Sequence, residues 1–227
     1  MSIAENIEKV RGRIEAAAHR AGRDPKSVLL VAVTKTVDAD KVREAIDAGI
    51  TDVGENYVQD SISKFDAVGH SVRWHMIGHL QSNKARQAVP IFDLIQSVDS
   101  YSLAQEIGKR SVALEKTTGV LVEVNISAEE SKSGIEPENA LALCEEVSKV
   151  EGVTLEGLMG IAPFVDDPDA IRRAFASLKR LWDQLPSENR RWLSMGMTSD
   201  FEIAIEEGSN MVRVGTAIFG PRVRPQP

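Results

Sequence analysis

Residues 28–35 read VLLVAVTK: six apolar residues, rich in β-branched side chains, then Thr34 and Lys35. The run is too short for a helix and shows no polar alternation, the pattern of a strand buried on both faces. Seven similar runs follow, at 52–54, 74–78, 94–98, 120–126, 154–159, 191–195 and 211–214, so that a new run begins every 20 to 37 residues. Helical patterns lie between them. Val42, Ala45, Ile46 and Gly49 recur at helical spacing, as do Ala140, Leu143, Cys144, Val147 and Val150, and Ile171, Ala174, Phe175, Leu178, Leu181 and Leu185. Asp167-Pro168 is an N-cap and first-turn pair for the last of these. Ser199 and Glu202 predict a capping box opening the helix after the seventh run, with Gly208 closing it. Such alternation predicts an α/β fold with a parallel sheet. Eight is also the number that closes a (β/α)₈ TIM barrel of roughly 200–250 residues. The competing arrangement is an open, doubly wound sheet. Ahead of the first run, Ile3, Ile7, Val10, Ile14 and Ala17 form one stripe of an extra N-terminal helix, which Gly22 and Pro25 end.

The chain has 227 residues, 42% of them hydrophobic, and 16 Gly, a globular composition. No linker or low-complexity tract interrupts it, so residues 1–227 read as a single domain with a short Pro-rich tail at 222–227. The net charge of −7, with no long Lys/Arg run, argues against nucleic acid or an anionic membrane as partner. The lone Cys144, on an apolar helical stripe, reads as a small core residue; it excludes an intrachain disulfide and leaves no cysteine zinc site. The first residues, MSIAENIEKVRGRIEAAA, lack the apolar core of a secretory signal, and no stretch approaches membrane-spanning length. The expected location is cytoplasmic.

In a barrel the chemistry lies at the C-terminal ends of the strands. Those ends carry Lys35, then Glu55-Asn56-Tyr57, His75 with His79, Ser97, Asn125, Met159-Gly160, Ser194-Met195-Gly196-Met197-Thr198 and Arg213-Val214-Gly215-Thr216. Lys35 shares parity with Leu29, Val31 and Val33. If those point inward, a partly desolvated amine at the mouth becomes a nucleophile able to form a Schiff base with an aldehyde. The other reading is a lysine that opens the next helix and snorkels to water. The last two ends offer glycine and hydroxyls where barrels often hold a phosphate. Each could equally be an ordinary helix cap. His75 and His79 have the spacing of a metal pair, but Gly78 and a strand-to-loop transition separate them and no HExxH pattern surrounds them, so no metal is expected.

The segments VAVTKT, GENYVQD, WHMIGHLQSNK, SVDS, SKSGI, GLMGIAPF, LSMGMTSDFE and VRVGTAIFGPR together resemble the YggS/PROSC family of pyridoxal-phosphate (PLP) homeostasis proteins nearly end to end. The resemblance implies a PLP barrel of fold type III, the alanine-racemase type. It implies that Lys35 carries pyridoxal 5'-phosphate as a Schiff base. Thr198, Gly215 and Thr216, helped by backbone around Ser194 and Gly196, would bind the phosphate; Asn56 would lie near the ring, and Arg213 would face the pyridine nitrogen. It further implies a monomer-sized protein that stores or delivers PLP, with apo PLP-dependent enzymes as recipients and no catalytic residues. An arginine stays charged and only donates, so a ring nitrogen facing Arg213 stays unprotonated and the cofactor is a shallow electron sink. Racemases with this arginine add a second base, a tyrosine from an extra β-domain, and no such domain is evident here. Two other functions compete: a slow racemase or related PLP enzyme, and a sugar-phosphate isomerase using Lys35 without PLP. Lys132, in the polar loop after the fifth strand, is either a solvated lysine or a second amine that takes PLP from Lys35.

Overall fold

The computed structural model describes residues 1–127 and 133–221. Lys132 and the tail 222–227 therefore lie outside the described residues. Eight strands form: β1 (Leu29–Val33), β2 (Asp52–Glu55), β3 (Arg73–Met76), β4 (Leu94–Val98), β5 (Thr118–Val124), β6 (Val153–Gly160), β7 (Trp192–Ser194) and β8 (Met211–Val214). All pairings are parallel and sequential, and β8 pairs with β1 through Val31 and Arg213, so the sheet is a closed barrel and not an open one. The expected strands all exist; β5 starts and ends two residues earlier than residues 120–126, because Thr118 and Gly119 already pair with β6.

Helix α1 (Ile3–Arg20) precedes β1, α2 (Ala39–Asp47), α3 (Val58–Val68), α4 (Ala85–Ala88), α5 (Tyr101–Ala113), α6 (Ala140–Val147), α7 (Pro168–Trp182) and α8 (Phe201–Glu206) run between successive strands, and α9 (Thr216–Phe219) follows β8. Strand parity sorts the core into two parts. Val31, Leu94, Leu121, Met159 and Met211 point inward and fill the barrel. Residues of opposite parity, such as Ala32, Val53, Trp74, Ile95 and Val212, meet the helices outside. This is the packed interior expected of such a barrel, so any ligand must sit at its rim.

The extra helix α1 opens with a capping box, Ser2 and Glu5 bonding reciprocally. Its stripe Ile3, Ile7, Val10, Ile14 and Ala17 is buried as the spacing predicts. It lies over the end of the chain: Asn6 Nδ2 donates to the Ile218 carbonyl at 2.8 Å, and Arg13 and Arg20 pair with Glu202 and Glu206 of α8. No helix among the described residues is long and apolar enough to cross a membrane.

Candidate functional site

Inward parity carries from Leu29 and Val31 through Val33 to Lys35, which is half-buried just past the end of β1. Lys35, Thr36 and Lys41 line a cavity of about 210 Å³ together with Gly215, Thr216 and Pro221. The lysine turn and the loop after β8 are thus two walls of one pocket. Thr36 holds φ at +63°, a left-handed conformation costly for a β-branched residue. Such strain, of order 1–3 kcal/mol, persists only where surrounding structure enforces it.

The enforcing structure lies directly beneath. Thr34 is fully buried; its N–H donates to the Gly54 carbonyl at 2.9 Å and its hydroxyl to Glu55 Oε1 at 2.6 Å. Lys64 of α3 reaches in from the apolar side of its helix. Its ammonium donates to Glu55 Oε1 at 2.6 Å and to the Thr34 carbonyl at 2.7 Å. The peptide preceding Lys35 is therefore pinned by a buried ion pair. Burial pushes the Glu55 carboxyl above its ordinary value, against the opposing pull of Lys64 and Thr34.

At the other wall, the Gly215 N–H donates to Thr198 Oγ1 at 3.4 Å, a long bond that joins the loops after β7 and β8. Gly196 has φ of +97°, and a Cβ there would lie 2.6 Å from Ala204 Cβ and 2.8 Å from Phe201 Cα. Its lack of a side chain serves the close seating of α8. The expected capping box at Ser199 is not formed. The N-cap is Asp200, whose carboxylate instead accepts from the Met197 N–H at 2.6 Å and closes the 197–200 turn. Burial raises the Asp200 carboxyl, while that bond and Arg213 pull it down.

Below the mouth a hydrogen-bonded chain crosses the barrel interior. Asp52 Oδ1 meets His75 Nε2 at 2.9 Å; His75 Nδ1 meets Gln96 Nε2 at 2.9 Å. Ser194 Oγ donates to Gln96 Oε1 at 2.6 Å and accepts from Arg213 at 2.5 Å, and Arg213 donates again to the Gly160 carbonyl at 3.0 Å. Gln96 donates through its amide, so His75 accepts at Nδ1 and carries its proton at Nε2, toward Asp52. Burial raises the Asp52 carboxyl, but hydrogen bonds from His75 and Thr51 outweigh it and hold it below the usual range. Burial draws Arg213 down to about 10, resisted by Asp200 and Glu123, so the guanidinium keeps its charge at neutral pH. Glu123, inward-facing by parity with Leu121, is pushed up to about 7 by burial and by Asp99, against Arg213.

Comparison with known proteins agrees with this architecture. Residues 2–223 match the model of the family described as alanine racemase, N-terminal domain. A pyridoxal phosphate homeostasis protein of Pseudomonas aeruginosa is 44% identical over 222 residues, covering 97% of this chain and 96% of that one. Its counterpart from Aquifex aeolicus is 40% identical over 226 residues, covering 98% and 99%. The chain belongs to the pyridoxal phosphate homeostasis protein family. Among solved structures, PipY of Synechococcus elongatus with PLP bound is 35% identical, with a TM-score of 0.82 over 96% of this chain and all of that one.

In this family member the sequence-predicted residues fall into three places. Lys35, Gly215 and Thr216 share the first cavity, with Thr198 bonded to its rim. Arg213 and the Ser194 side chain belong to the interior chain beneath, and Gly196 lies against α8. Asn56 lines a separate cavity with Glu123. His75 and His79 do not converge: the first is buried on Asp52, and the second is exposed and faces Asp99 at 3.4 Å. No cluster of three His, Cys, Asp or Glu residues suited to a metal occurs among the described residues. Lys41, Lys64, Gln96 and Glu123 were not singled out from sequence. For Lys64 a signal existed, since it falls on the stripe of Val58 and Ser61, both buried.

Proposed function

We propose that the protein holds pyridoxal 5'-phosphate as a Schiff base on Lys35 and serves PLP homeostasis by storing or delivering it, without turnover. The observation that carries this reading is the shared cavity of Lys35, Gly215 and Thr216. An amine and a loop able to receive a phosphate face each other there, and Lys41 adds a second cation suited to an anionic ligand. When bound, PLP would supply an aldehyde for the Lys35 amine and a conjugated ring able to withdraw electrons. The remaining work falls to the chain. Thr198, Gly215 and Thr216, with backbone at Ser194 and Gly196, would hold the phosphate; Asn56 would approach the ring; and Arg213, fixed by Ser194 and Gly160, would face the ring nitrogen. A permanently charged donor there keeps that nitrogen unprotonated and limits carbanion chemistry, which favours a carrier over a catalyst.

In this reading residues 1–227 act as one cytoplasmic, monomeric PLP-binding domain whose recipients are apo PLP-dependent enzymes. Lys132 would be a second amine on the route out. The test is borohydride reduction of the purified protein followed by peptide mass mapping. A pyridoxyl group on the peptide bearing Lys35, absent in Lys35→Ala, is the expected result; a colourless protein, or label on Lys41 instead, overturns it. A second reading, a slow amino-acid racemase or related PLP enzyme, is favoured by Glu123, a carboxyl near 7 that could exchange protons at the mouth. Exchange of the Cα hydrogen of single L-amino acids in deuterated water would decide for it.

A further inference from the structure

At the same end of the barrel, where β2, β3, β5 and β6 stop, lies a second cavity of about 370 Å³. Asn56 and Glu123 both line it, and each brings a buried oxygen, Asn56 Oδ1 and Glu123 Oε2, that no donor among the described residues reaches. Glu123 is only 5% exposed. A buried acceptor without a donor is costly, and native proteins keep few of them outside functional sites. Two on one cavity wall are hard to regard as accident. Nor can Asn56 easily turn away: its backbone packs so closely on Gly78 that a Cβ there would lie 2.4 Å from the Asn56 carbonyl oxygen.

The chemistry of the wall selects the ligand. Both oxygens are acceptors, so the ligand must bring at least two N–H or O–H donors. Asp99 adds negative charge near Glu123, and Arg213 and His79 are the positive or ionisable groups facing this cluster. Glu123 is the only carboxylate on this lining among the described residues, so a hard divalent cation would find one charged ligand here. A primary ammonium carries three donors and one charge on a compact head. Ile77 and Ile161, also on the lining, suit a short aliphatic body.

We infer that this cavity docks the primary ammonium group of a small amine, the class that includes free amino acids, between Asn56 and Glu123. The inference deepens the PLP reading and rests on it for its purpose: a primary amine competes with Lys35 for an aldehyde. Docking itself involves no covalent step and can be measured alone.

The experiment uses the borohydride-reduced protein, in which exchange at Lys35 is blocked. Ethylammonium and glycine are titrated into it by calorimetry at pH 7.5, with tetramethylammonium as a cation of equal charge lacking N–H donors. Saturable binding of ethylammonium is expected, at least tenfold tighter than tetramethylammonium and at least tenfold weakened by Glu123→Gln, with an unchanged circular dichroism spectrum. Should Glu123→Gln fail to fold, Asn56→Leu removes the other acceptor and must give the same loss. Absence of saturation, equal binding of tetramethylammonium, or binding unchanged in the folded variant overturns the inference. The pyridoxyl mass on Lys35 is read separately from the same sample, so failure of the cofactor reading and failure of the docking site are told apart.

Discussion

Replacing Lys64 with methionine keeps the length of the side chain and removes its charge. The Lys64 side chain is 10% exposed and that of its partner Glu55 not at all, so solvent cannot take its place. Breaking a buried pair by removing one member costs about 3–5 kcal/mol, a large share of the roughly 5–15 kcal/mol that holds a domain together. The cost depends on pH, with a definite sign. Burial raises the folded-state value of Glu55 above that of the unfolded chain, so between the two values the folded protein keeps a proton that the unfolded chain has released. Stability is fully present below the unfolded value and falls as pH rises through the folded one. Losing Lys64 removes the charge that opposes this rise, so the fall deepens and extends to higher pH. Once the pH is low enough to protonate Glu55, its carboxyl no longer needs a counter-charge, and the deficit shrinks toward the lost bond to the Thr34 carbonyl, about 1 kcal/mol. Urea unfolding followed by fluorescence of the buried Trp74 should therefore show a deficit of about 3–5 kcal/mol at pH 8 that shrinks as the pH is lowered. The pair Glu55→Gln with Lys64→Met should recover most of the loss at pH 8. Because Lys64 also pins the peptide before Lys35, pyridoxyl labelling of Lys35 should fall in the single variant. A deficit that stays the same as the pH is lowered, or none at pH 8, would refute the reasoning.

Three further outcomes can be checked. Glu123 is raised from 4.5 to about 7 in the folded protein, so its ionisation subtracts stability as pH climbs through that window. Glu123→Gln should match the parent near pH 4 and exceed it at pH 8 by up to about 3 kcal/mol, read from paired urea curves. At Gly157 φ is +141° and a Cβ would lie 1.8 Å from the Trp192 carbonyl oxygen, so Gly157→Ala should lose more than about 4 kcal/mol or fail to accumulate in soluble form. Burial pushes the Cys144 thiol up to about 12, so a disulfide reagent should leave it untouched in the native protein and react with one thiol per chain in urea.

The barrel was legible in the sequence because strands such as β1 and β5 are buried on both faces and appear as largely apolar runs at regular intervals, and the parity of Leu29, Val31 and Val33 carried through to Lys35. The loops at Gly215 and Thr216 were legible from their place after the last strand. The interior polar chain was not. Its members sit on different strands, and Gln96 and Ser194 are 98 residues apart, so only the register of the closed sheet brings them together. His75 looks like a partner of His79 when read along the chain, whereas its partners lie across the barrel on β2 and β4. Glu123, alone in VLVEVN, resembles an outward-facing residue of a half-exposed strand; its inward aim follows from parity with Leu121. The cap at Asp200 was missed because Ser199 and Glu202 fit a known pattern one residue too early.

The first cavity has walls drawn from residues 33–41 and 215–221, almost the full length of the described chain apart. Until β8 is made, β1 has no neighbour on that side and the facing loop does not exist. During synthesis this pocket is thus completed only with the last strand, and its formation coincides with closure of the sheet. A nascent or C-terminally clipped molecule would carry the lysine but not the opposite wall. Retention of ligand would then report on whether an individual molecule has been finished.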